Sequence, residues 1–176
     1  AKPDFIYAGV IAMEGMMLLD AMKKIDYKAP PMFHHLPSPG PMVNSPDAQG
    51  MLVATLFEEH EPMISQPGAK DFVPAFNQRA KAAGLPDNAV DTQAAGSYSA
   101  WQVLEAGIKA TNSLDDGVIS QWLKRNAVPT ILGPLRFDGP NNYGSDLTKI
   151  KQVQNKDWVV IWPKAAAKPG SSYQPI

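Results

Sequence analysis

Two adjacent histidines, His34 and His35, and the run Glu58-Glu59-His60-Glu61 are the residues of this chain whose types and spacing could do chemistry. An imidazole can shuttle a proton, hold a metal or donate a hydrogen bond to an anion. The pair follows a short apolar stretch, and neighbours on an extended chain point to opposite sides, so only one can face a cleft. The bland alternative is one histidine in solvent and the other a satisfied loop residue. The acidic run lacks the helical His-Glu-x-x-His spacing of a zinc site, and alternate residues of an extended segment diverge, so it reads as a solvated hinge. Ser97 and Ser99 lack the Gly-x-Ser-x-Gly elbow, and no aspartate pairs with a histidine at a recognisable spacing. No paired carboxylates sit at two strand ends, as glycoside hydrolysis would need. Catalysis, a resident cofactor and a metal are therefore disfavoured.

The elements that must position these residues alternate at first. Asp4 to Gly9 is a short apolar strand ending at glycine, and Met13 to Lys24 is an amphipathic helix with Gly15, Leu18, Leu19 and Met22 on one face. The link reads Gly9-Val10-Ile11-Ala12-Met13-Glu14-Gly15, which is neither a dinucleotide fingerprint nor a phosphate loop. A second strand is expected at Pro31 to His35, a proline-rich loop at Leu36 to Asn44, a helical turn at Ser45 to Gln49 and a third strand at Met51 to Leu56. Three helices follow without a strand: Asp71 to Ala83, with Pro74 in its first turn; Thr92 to Ala110; and one opening at Ser113, with Ser113 as its cap. Strands return at Thr130 to Leu132, Gly133 to Asp138, Leu147 to Gln154 and Trp158 to Trp162, the last two joined by a hairpin turn at Asn155-Lys156-Asp157. Lys164 to Ile176 has no periodicity and reads as a trailing coil.

Composition narrows the classes. The chain has 176 residues, 44% hydrophobic and 19% charged, enough for a sizeable core. Its net charge of -1 is spread without a basic stripe, which argues against nucleic acid as a partner. There is no cysteine, so disulfides and thiolate chemistry are excluded, as suits an exported protein. The first residue is Ala1, so the chain is expected to be processed or a piece of something longer.

The strings DFIYAG (Asp4 to Gly9), QGMLVATL (Gln49 to Leu56), SYSAWQVLEAGIKA (Ser97 to Ala110), GPLRFDG (Gly133 to Gly139) and WVVIWP (Trp158 to Pro163), with the spacing from Glu14 to Met22, resemble substrate-binding proteins of branched-chain amino acid type ABC importers. The resemblance implies an α/β type I periplasmic-binding-protein fold, present only in part. It implies a parallel βαβ sheet, a three-helix segment and C-terminal antiparallel strands. By it, residues 1–61 form part of the second lobe, 62–129 the helical part of the first lobe, 130–163 the return to the second, and 164–176 a coil tail. It implies a periplasmic receptor that carries a small solute to a membrane permease, and an N-terminal half of the same chain as partner.

In the family's amino-acid binders an aromatic residue follows the first of these strands and a carboxylate ending the second holds the ligand's ammonium. The corresponding positions are Ile11 and His35, with His34 if the register slips by one. Neither residue neutralises a buried ammonium. The expected ligand is then a carboxylate without an α-amino group, contacted by Ile11, Ala12, Met13, His34 or His35, and by Tyr98. A ligand-sensing domain of the same fold on a receptor or regulator is the alternative, and a small-molecule enzyme a weaker one. Phe76, Trp101, Leu104 and Trp122 would cover a sheet in the missing half. Each is worth roughly 1.5 to 3 kcal/mol when buried, so the chain is expected to hide them by self-association, swapping or repacking.

Overall fold

The computed structural model describes residues 2–11, 13–28, 30–35, 40–144 and 146–175. Strand β1 (Ile6–Ala8) leads through helix α1 (Met13–Lys24) to β2 (Met32–His34), and β3 (Leu52–Thr55) follows two 3-10 turns, Gly40–Asn44 and Pro46–Ala48. Helices α2 (Ala69–Ala82), α3 (Thr92–Thr111) and α4 (Asp116–Leu123) come next. The chain closes with β4 (Val128–Thr130), β5 (Gly133–Leu135), β6 (Lys149–Gln154) and β7 (Asp157–Trp162).

Five strands form one sheet in the order β1-β2-β3-β6-β7, with the first three parallel and the last two antiparallel. The β6-β7 hairpin turns on Asn155 and Lys156, both at positive φ (53° and 64°), the backbone a two-residue hairpin requires. The short apolar strands are covered by α1 and the 3-10 turns on one face, where Ala8, Leu19, Met32, Met42, Val53, Val153 and Trp158 make one core. A second core joins the helices to β7 through Phe57, Met63, Val90, Ala95, Ile131 and Val160.

Several boundaries differ from the sequence reading. Helix α2 starts two residues early behind Gly68, so Pro74 sits in the second turn, where its missing N–H leaves the carbonyl of Lys70 without its usual partner. Helix α4 is capped by Asp115, whose Oδ1 accepts from the N–H of Val118 at 2.9 Å; the Ser113 hydroxyl accepts from the N–H of Asp115 instead. Ile131 and Leu132 are the turn of the separate β4-β5 ribbon, not a strand. That ribbon packs with the helices, and the N–H of Ile131 donates to Gln102 of α3, so the chain returns to the large sheet after Leu135 and not from Thr130. The tail is irregular but not loose. The N–H of Lys168 donates to the Val160 carbonyl, Gln154 Nε2 to the Ser172 carbonyl and Gln152 Nε2 to the Gln174 carbonyl, strapping it across β7 and β6.

Candidate functional site

In an open sheet with parallel strands, ligands gather outside the carboxyl ends of those strands. Here β1, β2 and β3 release the connections that begin at Gly9, His35 and Leu56 on that side. Ile11 and Met13, at the start of α1, are both 61% exposed there. Glu14 turns back on the link: its Oε2 accepts from the N–H of Ile11 at 2.8 Å, tying the link to the first turn of the helix.

The two histidines part company because β2 alternates. His34, its last residue, is fully buried beneath α1, where Gly15 leaves room for it; a Cβ on Gly15 would stand 2.8 Å from His34 Nδ1. Its Nε2 lies 3.0 Å from the sulfur of Met32, and burial lowers its pKa from the ordinary value. A neutral imidazole inside the core serves packing, and it is a poor partner for a ligand's charge. His35 turns to the other face and is exposed, its ring 5.7 Å from that of Tyr7, which stacks on Phe33 at 5.6 Å. Ala12 lies outside the described residues. Tyr98 packs in the second core, stacked on Phe72 with centroids 4.0 Å apart, and its hydroxyl sits against Gly68. The structure therefore groups Ile11 and Met13 at one strand end and His35 with Tyr7 at the next, while His34 and Tyr98 belong to packing.

A polar constellation that the sequence reading passed over lies where the sheet meets the helices. Glu58, just past β3, pairs with Lys151 of β6 at 2.5 Å, with both side chains mostly buried, and the ammonium lies 4.2 Å over the ring of Trp158. Thr55 Oγ1 is 2.9 Å from Glu58 Oε1 and 3.0 Å from Thr92 Oγ1, the first residue of α3. Glu59 accepts from the N–H of Val90 at 2.6 Å and from Asn77 Nδ2 at 3.2 Å. The first half of the acidic exit is thus not solvated, as expected above, but stitched to both bodies, because Glu58 and Glu59 find donors across the junction, whereas Glu61 stays exposed and accepts only from the nearby Ser65 hydroxyl. A crevice of about 290 Å³ opens beside it, walled by Val43, Asn44, Glu58, Lys151 and Trp158 on one side and by the connection from Pro86 to Thr92 on the other. Lys151 shares a face of β6 with Val153, two residues on, and that was the available signal: a lysine buried beside an apolar residue needs a carboxylate. Among the described residues no group of three or more His, Asp or Glu could hold a metal.

No protein-family model matches this sequence, and no curated protein does. Solved structures do. An extracellular ligand-binding receptor from Rhodopseudomonas palustris HaA2 superposes with TM-score 0.67 at 17% identity, over 91% of this chain and 48% of its own. Another extracellular ligand-binding receptor from Rhodopseudomonas palustris gives 0.65 at 16%, with coverage of 91% and 48%. An ABC transporter substrate-binding protein from Desulfitobacterium hafniense, in complex with Leu, gives 0.62 at 21%, with coverage of 90% and 43%. The chain spans a little under half the length of these proteins. At such identities the likeness establishes architecture: the partial type I periplasmic-binding-protein fold expected from the sequence is the fold observed.

Proposed function

We propose that this chain is part of an extracytoplasmic solute-binding receptor serving an ABC importer, and that its solute is a small carboxylate lacking an α-amino group. In this reading the sheet of β1-β2-β3-β6-β7 is most of one lobe, the helices and the β4-β5 ribbon are part of the other, and the segments at 56–62 and 136–148 are the hinge between them. The lobe missing its sheet would be completed by an N-terminal half of the same polypeptide, and a membrane permease would receive the solute at the outer face of the inner membrane. The likeness to extracellular receptors supports the class, and a receptor that only traps and releases needs no catalytic group.

The observation that carries the ligand reading is the polarity at the carboxyl ends of β1 and β2. An ammonium would need a carboxylate aimed at it there, yet Glu14 turns its Oε2 back onto the N–H of Ile11 and the position after β2 is His35. A histidine can donate to a carboxylate, and Ile11, Met13 and Tyr7 offer apolar surface for the rest of the solute. Mass spectrometry of the protein isolated from its host should find a co-bound small organic acid. In titration calorimetry that acid should bind, and His35→Ala should weaken it by about tenfold or more, the worth of a hydrogen bond to a charged group. Micromolar binding of leucine or valine would refute the ligand class; turnover of the bound acid would refute the receptor.

A further inference from the structure

The connection from β2 to β3 joins two parallel strands without an α-helix among its described residues. It uses the 3-10 turns Gly40–Asn44 and Pro46–Ala48, where such crossings are usually helical. Two short turns cover less of a sheet face than a helix does, and the space left beside α1 is a pocket of about 490 Å³ at the amino ends of β2 and β3. That volume lies within the usual range for small-molecule sites. Its floor is Leu19, Met22, Met32 and Met51, three of them buried and none polar. Methionine floors adapt to the shape of what lies on them.

The rim decides the ligand class. Lys23 and Lys28 stand there with Asp26 and Asp47, two cations against two anions, and Lys23 meets Asp47 at 3.4 Å. A charged ligand would find like charge as readily as opposite charge at this mouth, and would give up its hydration over an apolar floor. A neutral hydroxyl or amide loses nothing, since it can donate to the aspartates and accept from the lysines. We infer that this pocket is a second binding site, for a small uncharged molecule with an apolar body and one hydroxyl or amide end. It lies at the opposite ends of the strands from His35 and stands independently of the receptor reading.

The test is carbon-13 methyl labelling of methionine in the 176-residue chain, titrated with 1-hexanol and with its charged counterparts hexanoate and hexylammonium. Hexanol should shift the methyls of Met22, Met32 and Met51 saturably, at half-saturation below about 10 mM. The exposed Met13 and Met17 should stay still, and both charged probes should bind at least tenfold more weakly. Gln49→Trp, at an exposed rim position, should weaken hexanol severalfold while leaving the circular dichroism spectrum unchanged. The inference is overturned by equal shifts at all five methionines, by charged probes that match hexanol, or by a Gln49→Trp variant that folds and binds as before.

Discussion

Gly15 and His34 define each other: the helix can lie close on β2 because one residue has no side chain, and the imidazole fills the space so freed. Gly15→Ala should therefore cost about 1 to 3 kcal/mol, the usual penalty for overpacking a core, despite alanine's better helix propensity. Gly96, in α3 with open space where a Cβ would go, is the control. Gly96→Ala should stabilise by about 0.5 to 1 kcal/mol, and urea denaturation measures both. His34 also sets a pH dependence. Its folded pKa lies below the ordinary 6.5 of the unfolded chain because burial disfavours the cation. Above that value neither state carries the proton and the stability is whole; as pH falls below 6.5 the unfolded chain takes up the proton first and stability drains away. Melting temperatures followed from about pH 8 to about pH 5 should fall further in the native chain than in His34→Gln. The sequence exposed the two adjacent histidines but not which was buried, because the register of a three-residue strand is decided by what packs on it.

Elements with their own chemistry followed local rules. Asp91 and Asp115 cap α3 and α4, accepting N–H groups at 2.7 and 2.9 Å, and Asn112 ends α3 in the left-handed conformation. Asp91→Ala should cost about 1 kcal/mol in a thermal melt. The junction between β3 and α2 obeys contacts from far along the chain instead: Glu58 is held by Lys151, 93 residues away. Removing one partner strands a buried charge, so Lys151→Met should destabilise by about 3 kcal/mol. The double variant Lys151→Met with Glu58→Leu should recover most of that loss, because no unpaired charge remains. A double variant as unstable as the single one would show that packing on Trp158, not charge, dominates. The sequence made this segment look solvated, since four polar residues in a row resemble a loop when their distant partners are unseen.

For the whole molecule, the apolar surface is uneven. Trp101 is 69% and Leu104 40% exposed on α3, whereas Phe76 and Trp122 are half-buried among their neighbours. The expectation of four bare residues thus holds for two, and among the described residues the helices pack against the two-stranded β4-β5 ribbon and the edge strand β7. Side chains of this size left in water drive association. The 176-residue chain should form dimers or larger species at tens of micromolar in light scattering, and Trp101→Lys with Leu104→Lys should shift it towards monomer. A monomer at all concentrations, with Trp101 fluorescence typical of an exposed indole, would show that this surface is tolerated in isolation.

Alternation, helical periodicity, caps and turn residues act within a few positions, so the order of strands and helices, the β6-β7 hairpin and the α/β class were already determined by the sequence. The carboxyl-end location of Ile11 and His35 followed from that order. What tertiary structure alone decided was every feature built across long separations: the burial of His34 under Gly15, the pairing of Glu58 with Lys151, the allegiance of β4-β5 to the helices and the pocket beside α1. The physical reason is that short strands carry too few residues to announce their facing, and burial of a polar group becomes favourable only when a distant partner arrives to satisfy it.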